Sequence, residues 1–259
     1  MLHLTPVPAF QDNYIWVLSA RSPALNCPVV AVDPGCAASL SQWLEDQGCQ
    51  LHAILITHHH ADHTGGVASL QAQWQCPVYG PDNSPFSGIT QPLHQGDLIY
   101  LLETQFQIQA VPGHTLDHIS YYSAEADLLL CGDTLFMAGC GRLFEGTAQQ
   151  MLAAMDYFAQ LPDQTRVACT HEYTLSNLAF AQAVEPENPE IQQTLKRCQA
   201  LRAEGHPTLP SSIGLEKKIN PFMRTREAAV RHAVALHAGR EVEKADAILA
   251  QLREWKNAF

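Results

Sequence analysis

The sequence predicts an α+β protein in which a strand-rich region is followed by a smaller helical one. Short apolar segments of strand type, separated by Gly and Pro turns, recur up to residue 173. From residue 174 onward the apolar spacing is helical. The charge changes at the same place, from sixteen acidic and three basic residues in 1–173 to ten acidic and twelve basic residues in 174–259. We therefore predict one domain over 1–173 and a helical domain over 174–259.

Each element is assigned from its apolar period and from the turn residues that bound it. Strands are predicted at residues 14–18, 29–32, 51–57, 77–79, 106–111, 119–123, 128–131 and 166–170. Helices are predicted at residues 37–48, 66–75, 151–161, 175–184, 187–204, 224–238 and 241–257. Residues 81–97 contain three prolines and two glycines, so a long loop is predicted there.

Composition narrows the class of protein. The chain is 46% hydrophobic and 16% charged, which is typical of a globular protein, and it contains no apolar run of membrane-spanning length. A net charge of −11 argues against nucleic acid as a partner. The first residues lack a basic and apolar leader, so no export signal is predicted. Eight scattered cysteines without a C-x-x-C pair indicate reduced thiols in a cytoplasmic protein, with disulfides in an exported protein as the alternative.

Residues 57–63, with the sequence THHHADH, carry the strongest functional signal. His58 and His60 are two residues apart after a predicted strand, so their imidazoles project to the same side of an extended chain. Asp62 and His63 follow at once, where the chain can turn into a helix. One short loop could therefore ligate two metal ions, one with each pair of side chains.

Three further ligand-type residues, His114, Asp133 and His171, also lie just past the ends of predicted strands. Loops at strand ends are the usual place for a preorganised site. Together with the histidine loop they supply three ligands for each of two metal ions and one carboxylate that can bridge them. One ion is assigned to His58, His60 and His114, the other to Asp62, His63 and His171, and the bridge to Asp133. Imidazole and carboxylate without thiolate suit zinc best, while iron and manganese are compatible.

Neighbouring residues receive supporting roles. His59 points away from its neighbours in an extended segment, so it is interpreted as a packing or supporting residue. His118 could be a spare ligand or a hydrogen-bonding core residue, and the second role is favoured. Asp33, in a Val-Asp-Pro-Gly turn, is predicted to orient the histidine loop. Three cysteines near ligand positions are interpreted as small core residues: Cys131, Cys140 and Cys169.

The histidine loop resembles that of the metallo-β-lactamase superfamily, and four further segments resemble the glyoxalase II (hydroxyacylglutathione hydrolase) family. These segments are AGCGRLFEG at 138–146, HEYT at 171–174, NPFMR at 220–224 and REWK at 253–256. The resemblance covers essentially the whole chain, including the helical tail. It implies a metallo-β-lactamase αββα sandwich followed by a smaller C-terminal helical domain.

The resemblance also implies a reaction, the second step of methylglyoxal detoxification. A hydroxide held between two divalent metal ions would attack the thioester carbonyl of S-D-lactoylglutathione, or of another S-(2-hydroxyacyl)glutathione. The products would be D-lactate, or the matching 2-hydroxy acid, and glutathione. The expected partner is this small-molecule thioester, with no nucleic acid and no membrane, and the expected form is a cytoplasmic monomer.

Five residues match those that bind the glutathione moiety in this family: Arg142, Phe144, Tyr173, Arg253 and Lys256. Glutathione carries two carboxylates, with which the three cationic side chains of this set could pair. Phe144 departs from the family, because tyrosine is frequent at its position. The missing hydroxyl contact implies altered substrate binding and leaves the reaction unchanged.

Three alternatives are compatible with parts of the sequence. A β-lactam or lactone hydrolase would share the metal ligands but would leave the basic helical tail without a role. A glutathione-persulfide dioxygenase would need a single iron and would not use all seven ligands. A non-catalytic metal-binding or regulatory protein typically loses ligands, whereas this set is complete.

Overall fold

In the computed structural model, which describes residues 2–20 and 22–259, the chain divides into two compact units. The first unit comprises Met1–Ala110 and Asp117–Gly132, and the second comprises Val111–Leu116 and Asp133–Phe259. Sheets and helices occur together, which confirms the predicted α+β class. These two units are not the two predicted domains, 1–173 and 174–259, and the predicted domain boundary stays a prediction.

The first unit is built on strands. They are β1 (His3–Ala9), β2 (Asn13–Ser19), β3 (Pro28–Val32), β4 (Gln50–Leu55), β5 (Val78–Pro81), β6 (Gln91–Leu93), β7 (Leu98–Leu101), β8 (Thr104–Ala110), β9 (Ile119–Ser123) and β10 (Leu128–Gly132). Its helices are α1 (Ala37–Gln47), α2 (Ala61–Thr64) and α3 (Val67–Trp74). Strands β1 to β6 form a sheet in chain order, antiparallel from β1 to β3 and parallel from β3 to β6. Strands β7 to β10 are successive antiparallel neighbours.

The core of the first unit explains why these segments form strands. Every residue of β2 is buried, in agreement with its nearly continuous apolar sequence. Helices α1 and α3 pack their buried leucines into the same core as strands β1 to β5. Helix α1 ends at Gly48 in the left-handed conformation (φ 64°), the stop that the sequence predicted. The Tyr121 hydroxyl of β9 donates to the carbonyl of Ile56 at 2.7 Å, next to the histidine loop.

The second unit is mostly helical. Its strands are β11 (Leu135–Phe136), β12 (Gly139–Cys140), β13 (Arg166–Cys169) and β14 (Ser211–Ser212). Its helices are α4 (Ala148–Ala159), α5 (Thr174–Val184), α6 (Pro189–Ala203), α7 (Ile213–Ile219), α8 (Ala228–Ala238) and α9 (Ala245–Ala258). Strands β11 and β12 form a short hairpin, and β13 pairs antiparallel with β14. Within the described part of the chain, none of the helices combines the length and apolar character needed to cross a membrane.

The structure corrects several element predictions. Strand β6 lies inside residues 81–97, where the sequence predicted only a loop, and β1 and β7 were not predicted. Both β1 and β6 contain proline, which a sheet tolerates at its edges because an edge strand needs hydrogen bonds on one side only. The short elements β14 and α7 were also missed. The helices predicted from 224 and 241 begin four residues later, at Ala228 and Ala245.

A fully buried glutamate, Glu216 of α7, lies within the second unit. Its Oε2 accepts hydrogen bonds from the backbone N–H of Ala138 at 2.8 Å and from Nδ2 of Asn220 at 2.9 Å. Its Oε1 accepts a hydrogen bond from the Ser211 hydroxyl. These bonds favour the charged carboxylate, but the effect of burial is larger and raises the pKa of Glu216 to about 7.

This raised pKa predicts how stability changes with pH. The ordinary pKa is 4.5, so ionisation of Glu216 opposes folding as the pH rises from 4.5 to about 7. We expect the free energy of unfolding of the wild-type protein to fall by about 3 kcal/mol across this window relative to Glu216→Gln, which does not titrate. Denaturant unfolding of both proteins, equally loaded with metal, measures the difference. A difference between the two proteins that stays constant with pH would contradict the prediction.

Candidate metal-binding and substrate-binding residues

The first unit brings together four of the predicted ligands at the end of β4. Nε2 of His58 lies 3.1 Å from Nδ1 of His60, and the rings of His58 and His63 are 4.0 Å apart between centroids. Nε2 of His63 lies 3.5 Å from Oδ2 of Asp62, which stands in the first turn of α2. His58 and His63 are buried, while His60 and Asp62 are partly exposed. The predicted turn into a helix is observed as α2, whereas the predicted strand over 51–57 already ends at Leu55 and the chain bends at Thr57 and His58.

The carboxylate of Asp33 orients the histidine loop. It accepts hydrogen bonds from the N–H and the hydroxyl of Thr57, both at 2.8 Å, and lies 3.1 Å from Nδ1 of His63. The Asp33 carboxylate lies nearer to Nδ1 of His63 than the Asp62 carboxylate, at 3.5 Å, lies to Nε2, so it favours a proton on Nδ1. The Thr57 hydroxyl, which donates to Asp33, accepts from Nδ1 of His58 at 3.1 Å, so the lone pair of His58 lies on Nε2, the nitrogen that is 3.1 Å from Nδ1 of His60. The orienting role predicted for Asp33 is confirmed.

Two further residues fix the position of Asp62. Asn13 donates from Nδ2 to Oδ2 of Asp62 at 3.1 Å. Gly35 passes so close to the loop that a Cβ atom there would lie 1.8 Å from the backbone oxygen of Asp62. Only a residue without a side chain fits at this position, so the Pro-Gly turn after Asp33 is required for the loop conformation.

The other two histidines of this region make supporting contacts. Nδ1 of His59 donates to Asp117 at 2.9 Å, and the second oxygen of Asp117 accepts from the Ser84 hydroxyl at 2.7 Å. His118 is buried, hydrogen-bonds the carbonyl of Ile119 at 3.1 Å and stacks on His58 at 4.6 Å. The core role predicted for His118 is confirmed. Sequence reasoning missed Asp117 and Ser84, because nothing local links them to a histidine more than twenty residues away.

The second unit brings together the other three predicted ligands, all of them buried. Oδ2 of Asp133 lies 3.2 Å from Nε2 of His171 and 3.6 Å from Nε2 of His114. Nδ1 of His114 donates to the carbonyl of Arg142 at 2.8 Å. This hydrogen bond leaves the lone pair of His114 on Nε2, the nitrogen that faces Asp133.

Two of the predicted substrate residues lie against these ligands. Tyr173 stacks on the ring of His171 at 4.6 Å with an interplanar angle of 4°, and its side chain is 38% exposed. Phe144 contacts His114 edge to face at 5.3 Å and is 62% exposed. Both therefore present an aromatic surface to solvent next to a predicted metal ligand. Arg142 takes part through its backbone carbonyl, as described above.

The other two predicted substrate residues are cations of α9. Arg253 is buried, and its Nη1 donates to the carbonyl of Cys140 at 2.7 Å. Nζ of Lys256 donates to the carbonyl and the hydroxyl of Ser176, both at 3.1 Å. Burial, together with the positive charges of Arg253 and Arg142, lowers the pKa of Lys256 to about 8. Three cations thus share one region of the unit, which favours the binding of an anion.

The donor set of each unit fits divalent metal ions. Imidazole nitrogens face one another or face a carboxylate, and hydrogen bonds on Nδ1 hold the rings of His58 and His114 in place, while the Asp33 carboxylate lies 3.1 Å from Nδ1 of His63. Such ligands bind zinc and other borderline ions without a thiolate.

Comparison with known proteins agrees with this chemistry. The family model for the metallo-beta-lactamase superfamily matches residues 29–171, and the model for the hydroxyacylglutathione hydrolase C-terminus matches residues 172–259. A hydroxyacylglutathione hydrolase from Albidiferax ferrireducens is 51% identical over 262 residues, which cover 100% of both chains. The chain belongs to the hydroxyacylglutathione hydrolase family. A second member, from Ectopseudomonas mendocina, is 51% identical over 260 residues, and this match also covers 100% of both chains.

Membership of the hydroxyacylglutathione hydrolase family makes the chain a metal-dependent hydrolase and confirms the fold expected from the histidine loop and tail segments. Among solved structures, ETHE1 from Myxococcus xanthus is similar with a TM-score of 0.64 and 23% identity, over 100% of this chain and 99% of that one. This structural likeness concerns the fold alone.

The role of Asp33 leads to a prediction about metal affinity. In Asp33→Asn an amide group replaces one carboxylate oxygen, so the negative charge nearest to Nδ1 of His63 is lost. We expect metal affinity to fall by about 10–100-fold. A competition titration against a chromophoric chelator measures it. Asp46→Asn, on the exposed face of α1, is the matched control, and equal affinities in the two variants would contradict the prediction.

Proposed function

We propose that this protein hydrolyses S-(2-hydroxyacyl)glutathione thioesters, with S-D-lactoylglutathione as the substrate and D-lactate and glutathione as the products. The observation that carries the proposal is the 51% identity, over the full chain, to relatives named hydroxyacylglutathione hydrolase. Lys256 and the two cations near it, Arg142 and Arg253, support a substrate with carboxylates. This reaction would be the second step of methylglyoxal detoxification.

The proposal includes two divalent metal ions per chain, with zinc as the preferred ion. One ion would be held by His58, His60 and His114, the other by Asp62, His63 and His171, with Asp133 shared between them. The proposal is supported by the donor chemistry of each unit, because hydrogen bonds on Nδ1 of His58 and of His114 leave Nε2 as the nitrogen that can bind a metal ion. When bound, such ions supply a hydroxide at neutral pH and polarise a carbonyl group.

The protein's own residues would bind and orient the thioester. We propose that Arg142, Arg253 and Lys256 pair with the two carboxylates of glutathione. The exposed faces of Tyr173 and Phe144 would cover the peptide part of the substrate beside the ligands, and Phe144 would do so without a hydroxyl group. The leaving group is a thiolate with an ordinary pKa of about 8.5, so no strong general acid is needed.

The first test is hydrolysis of S-D-lactoylglutathione, followed by loss of the thioester absorbance, with metal content measured on the same sample. We expect rapid turnover that a chelator abolishes, with close to two metal ions per chain. A fully metallated protein that does not hydrolyse the thioester would refute the proposed substrate. It would leave the family and the ligand chemistry in place.

The lowered pKa of Lys256 gives the substrate site a pH dependence. In the free protein its ammonium group loses its proton as the pH rises through about 8. We expect KM to rise above that pH, because a neutral amine no longer attracts a carboxylate. The control is Lys256→Arg, whose guanidinium stays charged. Initial rates from pH 6 to 9.5 measure KM, and the same rise in both proteins would contradict the assignment.

Further parts of the proposal concern organisation. We infer a catalytic domain over 1–173 and a substrate-binding domain over 174–259, supported by the change in charge between them. A cytoplasmic location is supported by eight free cysteines, which suit a reducing compartment. The expected form is a monomer that binds a small molecule, and size-exclusion chromatography with light scattering tests it.

A further inference from the structure

The three metal-ligand candidates of the second unit are attached to one short segment, residues 133–142, here called the ligand hairpin. Asp133 is its first residue. The carbonyl of Arg142, its last residue, accepts the hydrogen bond from His114 at 2.8 Å. In its first strand, the ring of Phe136 contacts His171 edge to face at 5.8 Å. A shift of this hairpin would therefore move Asp133 and change the contacts that hold His114 and His171.

The ligand hairpin has little structure of its own to hold it. Its ladder consists of two residue pairs, Leu135 with Cys140 and Phe136 with Gly139. At its tip, Ala138 adopts the left-handed conformation (φ 57°), which a residue with a side chain does not favour. A two-stranded hairpin of this length is not stable in isolation. Its conformation must be fixed by other parts of the unit.

Four polar side chains of the helical region bind the hairpin backbone at five consecutive residues. Asn177 donates to the carbonyl of Met137 at 3.1 Å, and Glu216 accepts from the N–H of Ala138 at 2.8 Å. Asn220 donates to two carbonyls, that of Phe136 at 3.2 Å and that of Gly139 at 2.9 Å. Arg253 donates to the carbonyl of Cys140 at 2.7 Å. All four side chains are buried. We call this set the backbone clamp.

Glu216 is the centre of the backbone clamp. The oxygen that accepts from Ala138 also accepts from Asn220, so one carboxylate links two of the contacts. Removal of this oxygen would leave the buried backbone N–H of Ala138 without its acceptor and would take one of three acceptors from the amide of Asn220. A buried donor left without a partner drives local rearrangement. A glutamine retains one oxygen for Ala138, and its amide can donate to the Ser211 hydroxyl.

We propose that Glu216 and Asn220 are positioning residues of the metal site, which act through the ligand hairpin to fix Asp133, His114 and His171. The helical region then has a second duty besides substrate binding. Part of Arg253's contribution is likewise exerted on the hairpin, through the carbonyl of Cys140. The inference rests on the proposed function only for what the metal site is used for, since the positioning itself concerns ligand geometry.

The experiment measures metal affinity without substrate, by competition of the full-length protein with a chromophoric chelator for Zn²⁺. The absorption spectrum of the Co²⁺-loaded protein reports the ligand geometry independently. We expect Glu216→Ala and Asn220→Ala to bind Zn²⁺ about 10–100-fold more weakly, with an altered Co²⁺ spectrum, and Glu216→Gln to remain within about threefold of wild type. Circular dichroism and denaturant curves establish that each variant is folded under the conditions used.

The matched control is Glu185→Ala, which removes a buried carboxylate of the same unit whose partner is Arg224. If this control weakens metal binding as much as Glu216→Ala, the effect is general destabilisation and the proposal is overturned. Folded Glu216→Ala with wild-type affinity overturns it too. If Glu216→Ala does not fold, the Zn²⁺ affinity of Asn177→Ala is measured instead. An affinity about threefold or more below that of wild type supports the proposal, and an unchanged affinity refutes it. Because no turnover is measured, failure of the proposed substrate would be seen separately.

Discussion

The site depends on where the protons of its histidines are placed. A neutral imidazole has one donor and one acceptor nitrogen, and only the acceptor can bind a metal ion. Asp33 favours a proton on Nδ1 of His63 by its proximity, and on Nδ1 of His58 through the hydrogen bond with the Thr57 hydroxyl. In the second unit the carbonyl of Arg142 does the same for His114. One carboxylate and one backbone carbonyl therefore prepare three of the five histidines.

The need to place Asp33 beside the histidine loop explains several backbone features that take no direct part in metal binding. Asp33 must approach Thr57 and His63 together, and it does so with a left-handed backbone (φ 50°) at the end of β3. The chain then passes under the carbonyl of Asp62, where Gly35 leaves the necessary space. The Pro-Gly turn and the buried parallel strands β3 and β4 thus hold the acceptor and the histidine loop at a fixed separation.

The sequence was most informative where the signal is local. The clustering of His58, His60, Asp62 and His63 in one loop, and the position of the other ligand-type residues after strands, could be predicted, because each depends on a few adjacent residues. Contacts distant in sequence could not. A backbone carbonyl such as that of Arg142 leaves no trace in the residue type. The prolines of β1 and β6 hid two edge strands, since proline argues against a strand unless its place in the sheet is known.

The backbone clamp has a consequence for how this family can vary. Each of its contacts ends on a main-chain N–H or C=O of residues 136–140, so the hydrogen bonds do not depend on which side chains the hairpin carries. Where there is space for a side chain, the hairpin can therefore exchange residues while its path is preserved; Gly139 is an exception, because a Cβ atom there would lie 2.5 Å from Nδ2 of Asn177. The donors and acceptors of the helices have no such freedom, because each is matched to one atom. We therefore expect selection for metal binding to conserve the side chains of the backbone clamp, all of which are more than forty residues away from Asp133 in sequence.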